Sequence, residues 1–332
     1  MGMEDLSDIH AGLTKKELGS MKLIMHPYQT ENDYWRVRPF LREVFTLNGR
    51  RELSWHVARW DYWRWPGVES WGDGPLEGRV FIWEMPHGQI AAVLNSEGRG
   101  DAYMQVHPNM RTPELEAEML DLAEQHLTTT GAYDQRELHV WADSNDVLRQ
   151  GVLMSRGYTL SNDAETQHRW TAHQPIPDKP VAEGHTVRSL GEVDELPARA
   201  WFTWKAFHPD EPEEIYASLG WQWYHDIQRC PLYRRDLDLV AVAPNGDFAA
   251  FTTVWYDDVT RSAYFEPVAT YQPHQRRGLA SAVMREGLRR VKRLGATVAF
   301  VGGLSPEANA LYTTVMGTEH DVMQCWVKGF RN

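Results

Sequence analysis

The stretch from Glu266 to Ala280, EPVATYQPHQRRGLA, constrains the fold more than any other part of this chain. Its apolar residues predict a short strand that ends at Val268 and Ala269, and a helical pattern begins at Leu279 after a polar turn. Where a helix starts just after a strand, free backbone N–H groups converge and the helix dipole adds partial positive charge. The sequence therefore predicts a binding site for an anion such as pyrophosphate.

Three residues of the turn strengthen this prediction. Arg276 and Arg277 add positive charge, and Gly278 allows a ligand to approach the backbone closely. The turn lacks the lysine and the spacing of a P-loop. The alternative interpretation is a basic helix start that binds no ligand.

A second motif, Ala308-Asn309-Ala310-Leu311-Tyr312, follows after one predicted helix and one predicted strand. The run from Gln275 to Ala280 resembles the acetyl-CoA signature, Gln-x-x-Gly-x-Ala, of the Gcn5-related N-acetyltransferase (GNAT) family. The second motif is similar to the one that carries that family's proton donor. The resemblance implies a mixed α/β fold with a bent sheet, acetyl-CoA in a V between two splayed parallel strands, and acetyl transfer to an amine.

The same resemblance implies which residues contact acetyl-CoA. Pantetheine would pair with the end of the strand, one N–H of which would serve the thioester oxygen. The amides after the turn would hold the pyrophosphate. The predicted cofactor-binding residues are Val268, Ala269, Thr270, Gln275, Arg276, Arg277, Gly278, Leu279, Ala280, Ser281, Asn309 and Tyr312.

Two residues are predicted to be catalytic. Tyr312 would protonate the departing thiolate, and its alternative role is packing on a helix face. Glu266 would accept the proton of the amine, directly or through a water, because strand alternation puts it on one face with Tyr264 and Val268. The alternative for Glu266 is pairing with an arginine or exposure to solvent. His208 is the reserve base.

The order of predicted elements occurs twice along the chain, although the residues themselves do not repeat. A segment with three prolines, residues 173–183, predicts a linker. We therefore expect two tandem GNAT-like domains, 21–172 and 184–332, in a layout similar to that of mycothiol synthase. Residues 1–20 are expected to be a mobile tail.

Only the second copy is predicted to bind acetyl-CoA. In the first copy the corresponding loop places Glu114, a bulky anion, where a small residue would admit pyrophosphate, and Pro113 removes an N–H donor. The position that matches Tyr312 is Leu153, which has no proton to give. The first copy is therefore interpreted as a degenerate domain, which stabilises the second or, as the alternative, contributes aromatic residues of 55–65 to the acceptor pocket.

The segment that joins the first two helices of the second copy is rich in carboxylates and aromatic rings. Such groups suit a small cationic amine through ion pairing and cation–π contacts. An aminoglycoside-type antibiotic is the sharpest hypothesis, which would make the protein a resistance enzyme. The alternatives are a mycothiol synthase-like or protein N-terminal acetyltransferase and a non-catalytic acyl-CoA sensor. The predicted acceptor-binding residues are Trp204, His208, Asp210 and Glu211.

The composition restricts the other function classes. The net charge of −12 over 332 residues argues against a nucleic-acid partner. Two cysteines offer neither a disulfide framework nor a metal-binding spacing. We found no apolar leader in the first twenty residues and no run long enough to span a membrane, so a cytoplasmic protein is expected. It would be a monomer with a pseudo-dimeric layout, or a homodimer.

Overall fold

A computed structural model describes residues 22–51, 53–70, 74–98, 100–130 and 135–330. The predicted mobile tail, 1–20, lies outside these ranges. The strands are β1 (Ile24–Pro27), β2 (Val80–Glu84), β3 (Ile90–Asn95), β4 (Asp101–Val106), β5 (Thr129–Thr130), β6 (Arg136–Asp143), β7 (Thr159–Thr171), β8 (Thr186–Ser189), β9 (Asp238–Val242), β10 (Phe248–Asp257), β11 (Ser262–Thr270), β12 (Val298–Gly303) and β13 (His320–Phe330). The helices are α1 (Glu31–Leu47), α2 (Val57–Tyr62), α3 (Pro113–His126), α4 (Val147–Ser155), α5 (Leu196–Phe207), α6 (Glu213–Leu219), α7 (Tyr224–Arg229), α8 (Leu279–Leu294) and α9 (Pro306–Met316).

The chain forms two compact units that interleave along the sequence. The first unit takes its described residues from the chain up to Ser54, from Pro75–Ser161 and from Cys325 onward. The second unit takes its described residues from Trp55–Gly74 and Asn162–Gln324. The predicted domains, by contrast, are continuous segments, and their boundaries stay a prediction.

The first unit contains a sheet in the order β1-β2-β3-β4-β6, in which β4 and β6 are parallel and the other neighbours antiparallel. Helix α3 covers this sheet with Leu115, Met119 and Leu120, all of which are buried. The predicted start of α3 is confirmed, because the Thr112 hydroxyl accepts a hydrogen bond from the Leu115 N–H at 3.1 Å.

The second unit contains a sheet in the order β7-β12-β11-β10-β9-β8. Its only parallel pair among these strands is β11 with β12. Helices α8 and α9 pack on one face of this sheet, where Phe265 meets Met284 and Leu288 in the buried core. The chain is thus a mixed α/β protein, as predicted, and each unit contains a mixed sheet.

One predicted helix is wrong. The pattern from Glu213 to Gln228 predicts a single helix, but the structure has two shorter ones, α6 and α7. Gly220 ends α6 with a φ of +70°, a left-handed conformation that continues no helix. The apolar periodicity runs through the break, and it therefore does not reveal the break.

The aromatic segment Trp55–Gly74 is anchored inside the second unit by polar contacts. The Ala58 N–H donates to His56 Nδ1, so Nε2 of this buried ring donates to the Ser262 hydroxyl at 2.7 Å. Ser70 donates to Asp226 at 2.6 Å, and Tyr62 meets the Trp255 ring edge-on. Within the described residues, we found no helix with the length and apolarity that a membrane span requires.

We expect His56→Ala to lower the free energy of unfolding by about 2–4 kcal/mol, because it removes a buried ring and its hydrogen bond to Ser262. Urea unfolding measures the change. The control is His87→Ala in the exposed β2–β3 turn, for which we expect less than about 0.5 kcal/mol. Equal losses in the two variants would contradict the anchoring role of His56.

Candidate active site

Strands β11 and β12 run together for three residue pairs and then separate. The parallel ladder joins Ser262–Tyr264 to Val298–Phe300. Beyond it, β11 continues along β10 as far as Thr270, while β12 continues along β7 as far as Gly303. The two strands therefore diverge as a V, which is the arrangement that the family resemblance implies.

The far part of β11 does not keep the predicted alternation. Between the pairs Phe265–Val254 and Val268–Thr252, the β10–β11 register shifts by one residue, which makes a β-bulge at Glu266 and Pro267. Val268 consequently packs on the same buried cluster as Phe265. The prediction that Tyr264, Glu266 and Val268 share one face is wrong, because an extra residue reverses the alternation beyond it.

A cleft of about 810 Å³ opens between the end of β11, the start of α8 and the exposed side of α9. Ten of the twelve predicted cofactor-binding residues line it, and Arg277 and Asn309 do not. Arg277 is exposed on the turn, and Asn309 accepts a hydrogen bond from His168 Nε2 at 2.9 Å. The lining residues are Val268, Ala269, Thr270, Gln275, Arg276, Gly278, Leu279, Ala280, Ser281, Pro306, Glu307, Ala308, Ala310, Leu311, Tyr312 and Thr314.

The turn before α8 has an unusual backbone. Arg276 has a φ of +64° and Gly278 a φ of +75°, so two of three successive residues are left-handed. For arginine this conformation is strained, and such strain is concentrated at functional sites. Turns with alternating backbone handedness can direct several N–H groups at one anion. The turn and the start of α8 thus form a positively polarised wall of the cleft.

Tyr312 lies on the opposite wall, where α9 presents it to the cleft with only 6% of its surface exposed. Burial, followed by the charges of Glu266 and Glu165, raises the pKa of its phenol above the ordinary value of 10.0. The phenol therefore stays protonated at neutral pH. The helix that carries it ends at Met316, with Gly317 as the C-cap, although the family's usual Gly-Phe is missing here.

Glu266 lies in the bulge and is half-buried. Its backbone carbonyl accepts a hydrogen bond from Trp255 Nε1 at 2.6 Å, which fixes this point of β11. Its carboxylate is near enough to Tyr312 to act on the phenol's pKa. The two predicted catalytic residues are thus close to each other.

The sequence analysis missed a set of polar residues on β7. His168 lies edge-on to the Tyr312 ring at 5.8 Å, and Glu165 lies 3.5 Å from Arg59. Burial lowers the pKa of His168; the nearby His320 acts in the same direction, and together they outweigh the hydrogen bond to Asn309. The unbroken polar run from Glu165 to Arg169 within a strand was the signal that could have found them.

The predicted acceptor-binding residues do not line the cleft. His208 is exposed, stacks on Trp204 and lies 3.0 Å from Glu211. Trp204 is buried, and Asp210 is exposed at the end of α5. His208 thus contacts both Trp204 and Glu211, and the contact of the four predicted residues with an acceptor stays a prediction.

In the first unit, the loop predicted to correspond to the turn before α8 is paired with a buried carboxylate. Glu116 is buried and accepts hydrogen bonds from Arg111 at 2.7 Å and from Arg149 at 3.1 Å. Asp146 also accepts from Arg111; burial would raise its pKa, but Arg149 and Arg111 lower it below the ordinary value. Leu153, which corresponds to Tyr312, is buried. The cations of this loop are thus already paired.

The model of the acetyltransferase (GNAT) family matches residues 194–317. A GCN5-related N-acetyltransferase from Sphaerobacter thermophilus has a similar fold, with a TM-score of 0.61 at 19% identity, over 93% of this chain and 96% of that one. Curated proteins gave no match to the sequence.

Two further structures share the fold. A tandem GNAT protein from the clavulanic acid biosynthesis pathway has a TM-score of 0.58 at 14% identity, over 93% of this chain and 98% of that one. A glucosamine N-acetyltransferase region of a fungal multi-domain β-N-acetylglucosaminidase has a TM-score of 0.54 at 14% identity, over 93% of this chain and 38% of that one. Likenesses at these identities show the fold alone.

We expect Gly278→Ala to destabilise the protein by about 1–2 kcal/mol, because the φ of +75° disfavours any residue with a Cβ. The matched control is Gly151→Ala, in the exposed middle of α4, which should stabilise the protein by about 0.5–1 kcal/mol. Urea unfolding of both variants measures the sign of each change in the free energy of unfolding. A stabilising Gly278→Ala would contradict the left-handed turn.

Proposed function

We propose that this chain transfers the acetyl group of acetyl-CoA to an amine, because its residues 194–317 match the model of the acetyltransferase (GNAT) family and the chain has the fold of a tandem GNAT protein. One observation carries the proposal. The cleft between the diverging strands has a positively polarised turn on one wall and a buried tyrosine, Tyr312, on the other.

The residues of the cleft suit acetyl-CoA. The N–H groups at the start of α8, together with Arg276, would hold the pyrophosphate. The end of β11, from Val268 to Thr270, offers backbone groups to the amides of pantetheine. Bound there, acetyl-CoA supplies an activated thioester. Arg277 and Asn309, which lie outside the cleft wall, are the weakest of the proposed cofactor contacts.

The proposed chemistry needs two proton transfers by the chain. Glu266 takes a proton from the acceptor ammonium, so that the neutral amine can form the new C–N bond as the C–S bond breaks, and the nitrogen then loses its second proton to solvent. Tyr312 gives its proton to the departing thiolate and recovers one from solvent. The neighbouring carboxylates disfavour a lasting tyrosinate, because its charge would repel theirs. The balance is one amide and one thiol formed, with one proton released.

The acceptor is proposed to be a small cationic amine. The net charge of −12 attracts cations, and two carboxylates lie near Tyr312. The glucosamine N-acetyltransferase with this fold makes amino sugars a reasonable first class to test. Aminoglycoside-type antibiotics are the most specific form of the proposal, and a cysteinyl pseudodisaccharide or a protein N-terminus would appear as other outcomes of an acceptor screen.

A non-catalytic acyl-CoA sensor is the rival function. Tyr312→Phe separates the two, because binding needs no proton donor. We expect kcat to fall by about 10²–10⁴-fold while the Kd for acetyl-CoA stays unchanged. The measurement is thiol release with a panel of amino sugars, polyamines and peptides, and calorimetry with acetyl-CoA.

The control is Tyr103→Phe on β4 of the first unit, for which thiol release should match that of the wild type. Wild-type protein that binds acetyl-CoA and acetylates no amine in the panel would support the sensor and refute acetyl transfer.

We also predict a pH profile. The acid form of Tyr312 is the active one, and its pKa is raised above 10.0, so the phenol does not lose its proton as the pH rises to about 10. The value of kcat should therefore rise and then level off between about pH 7 and pH 10 as the acceptor amine is deprotonated. A fall with a midpoint below pH 10 that disappears in Tyr312→Phe would contradict this assignment.

A further inference from the structure

Strand β7 carries polar side chains at buried positions beside β12. Gln167, His168 and Arg169 are all buried, and they pair with β12 from Gly302 to Phe300. Burying polar groups costs free energy unless their hydrogen bonds are satisfied. The position of these side chains in the second unit therefore needs an explanation.

Gln167 is the least satisfied of them. It is 1% exposed, and neither its Nε2 nor its Oε1 has a hydrogen-bond partner among the described residues. An amide both donates and accepts, so a partner that does the same, such as a hydroxyl group, could bond to either atom. A buried amide left with two open hydrogen-bonding atoms points to a ligand.

Gly302 leaves room for the side chain of Glu165 near that of Gln167. A Cβ on Gly302 would lie 1.9 Å from Glu165 Oε1 and 3.2 Å from Gln167 Nε2. The missing side chain thus leaves the space into which the carboxylate and the amide extend. The other carboxylate oxygen of Glu165 lies 3.5 Å from Arg59 Nη1, which holds the side chain in position.

The next residue of β12, Gly303, leaves space on the opposite face of the strand. A Cβ on Gly303 would lie 2.1 Å from Asn309 Oδ1 and 3.2 Å from Tyr312 Cδ2. Two successive glycines therefore let β7 side chains approach β12 on one face and the proposed proton donor approach it on the other. They do so just beyond Phe300, where β12 leaves β11.

Glu165 and Glu266 reach this region from the strands on either side of β12. Their charges, after the effect of burial, both raise the pKa of the Tyr312 phenol, so both carboxylates lie within electrostatic range of it. The geometry gives one neutral amide and two carboxylates around the open end of β12.

We propose that Glu165 and Gln167 form the acceptor subsite: Glu165 binds the ammonium group of the acceptor, and Gln167 binds a hydroxyl group beside it. The acceptor class is then an amino alcohol or amino sugar. A diamine of the polyamine type can meet the carboxylates, but it has no hydroxyl for Gln167. This assignment rests on the proposed acetyl transfer and names its acceptor site.

The test compares Glu165→Gln and Gln167→Leu with wild type, using glucosamine, 2-aminoethanol and 1,4-diaminobutane as probes. We expect Glu165→Gln to raise KM for all three amines by about tenfold or more, through loss of a charge-assisted contact. Gln167→Leu should raise KM for glucosamine and 2-aminoethanol only. In both variants the Kd for acetyl-CoA should equal that of wild type.

The matched control is Asp163→Asn, which removes the same charge from an exposed position of the same strand. Gly302→Ala is the second variant; it keeps Glu165 but displaces its carboxylate, and it should raise KM for the same amines. If unfolding midpoints show that Glu165→Gln does not fold, Gly302→Ala and Gln167→Leu decide the question.

The outcomes separate the two proposals. Turnover with unchanged KM values in the folded variants would overturn the acceptor subsite and leave acetyl transfer intact. Wild-type protein that binds acetyl-CoA but acetylates none of the three probes, and no amine of the wider panel, would overturn acetyl transfer and the subsite with it. If the Kd of Gln167→Leu for acetyl-CoA rose as much as its KM for the amines, the subsite would also be overturned.

Discussion

The separation of β11 from β12 after Tyr264 and Phe300 is the constraint on which the rest of the site depends. Two parallel strands that stop pairing leave backbone groups of both open to a ligand, and such groups cannot remain buried without partners. On its outer side each strand remains paired, β11 with β10 and β12 with β7. The space between them, with the start of α8 at one side and α9 at the other, becomes the cleft.

The two units treat the equivalent loop in opposite ways. In the second unit a strained turn at Arg276 and Gly278 faces an open cleft. In the first unit the buried carboxylate of Glu116 pairs with Arg111 and Arg149. A diphosphate would have to displace that carboxylate, and an unpaired buried anion is costly. This contrast supports our proposal that acetyl-CoA chemistry belongs to the second unit alone.

The sequence predicted the elements and most of the residues that line the cleft, because both follow from local patterns. The start of α3 at Thr112, the turn at Gly278 and the position of Tyr312 each depend on residues close in sequence. The break at Gly220 was missed because a single glycine does not disturb the apolar periodicity.

What the sequence could not give depends on pairing between distant residues. The bulge at Glu266 is a property of the β10–β11 register, which no alternation within β11 reveals. Likewise, the placement of Glu165 over Gly302 follows from the pairing of β7 with β12, more than a hundred residues apart. The proposed acceptor side of the site depends on such contacts, and it was therefore the part that sequence patterns predicted least.

The interleaving of the units has a consequence for dissection of the protein. A fragment that begins after the proline-rich segment at 173–183 would carry α8, α9 and Tyr312, but it would lack β7 and Trp55–Gly74. The outer edge of β12 would then be unpaired, and an exposed apolar strand edge recruits other chains into aggregates. The half that carries the predicted acetyl-CoA motif is therefore not a self-sufficient folding unit, and shorter versions should retain both flanking pieces.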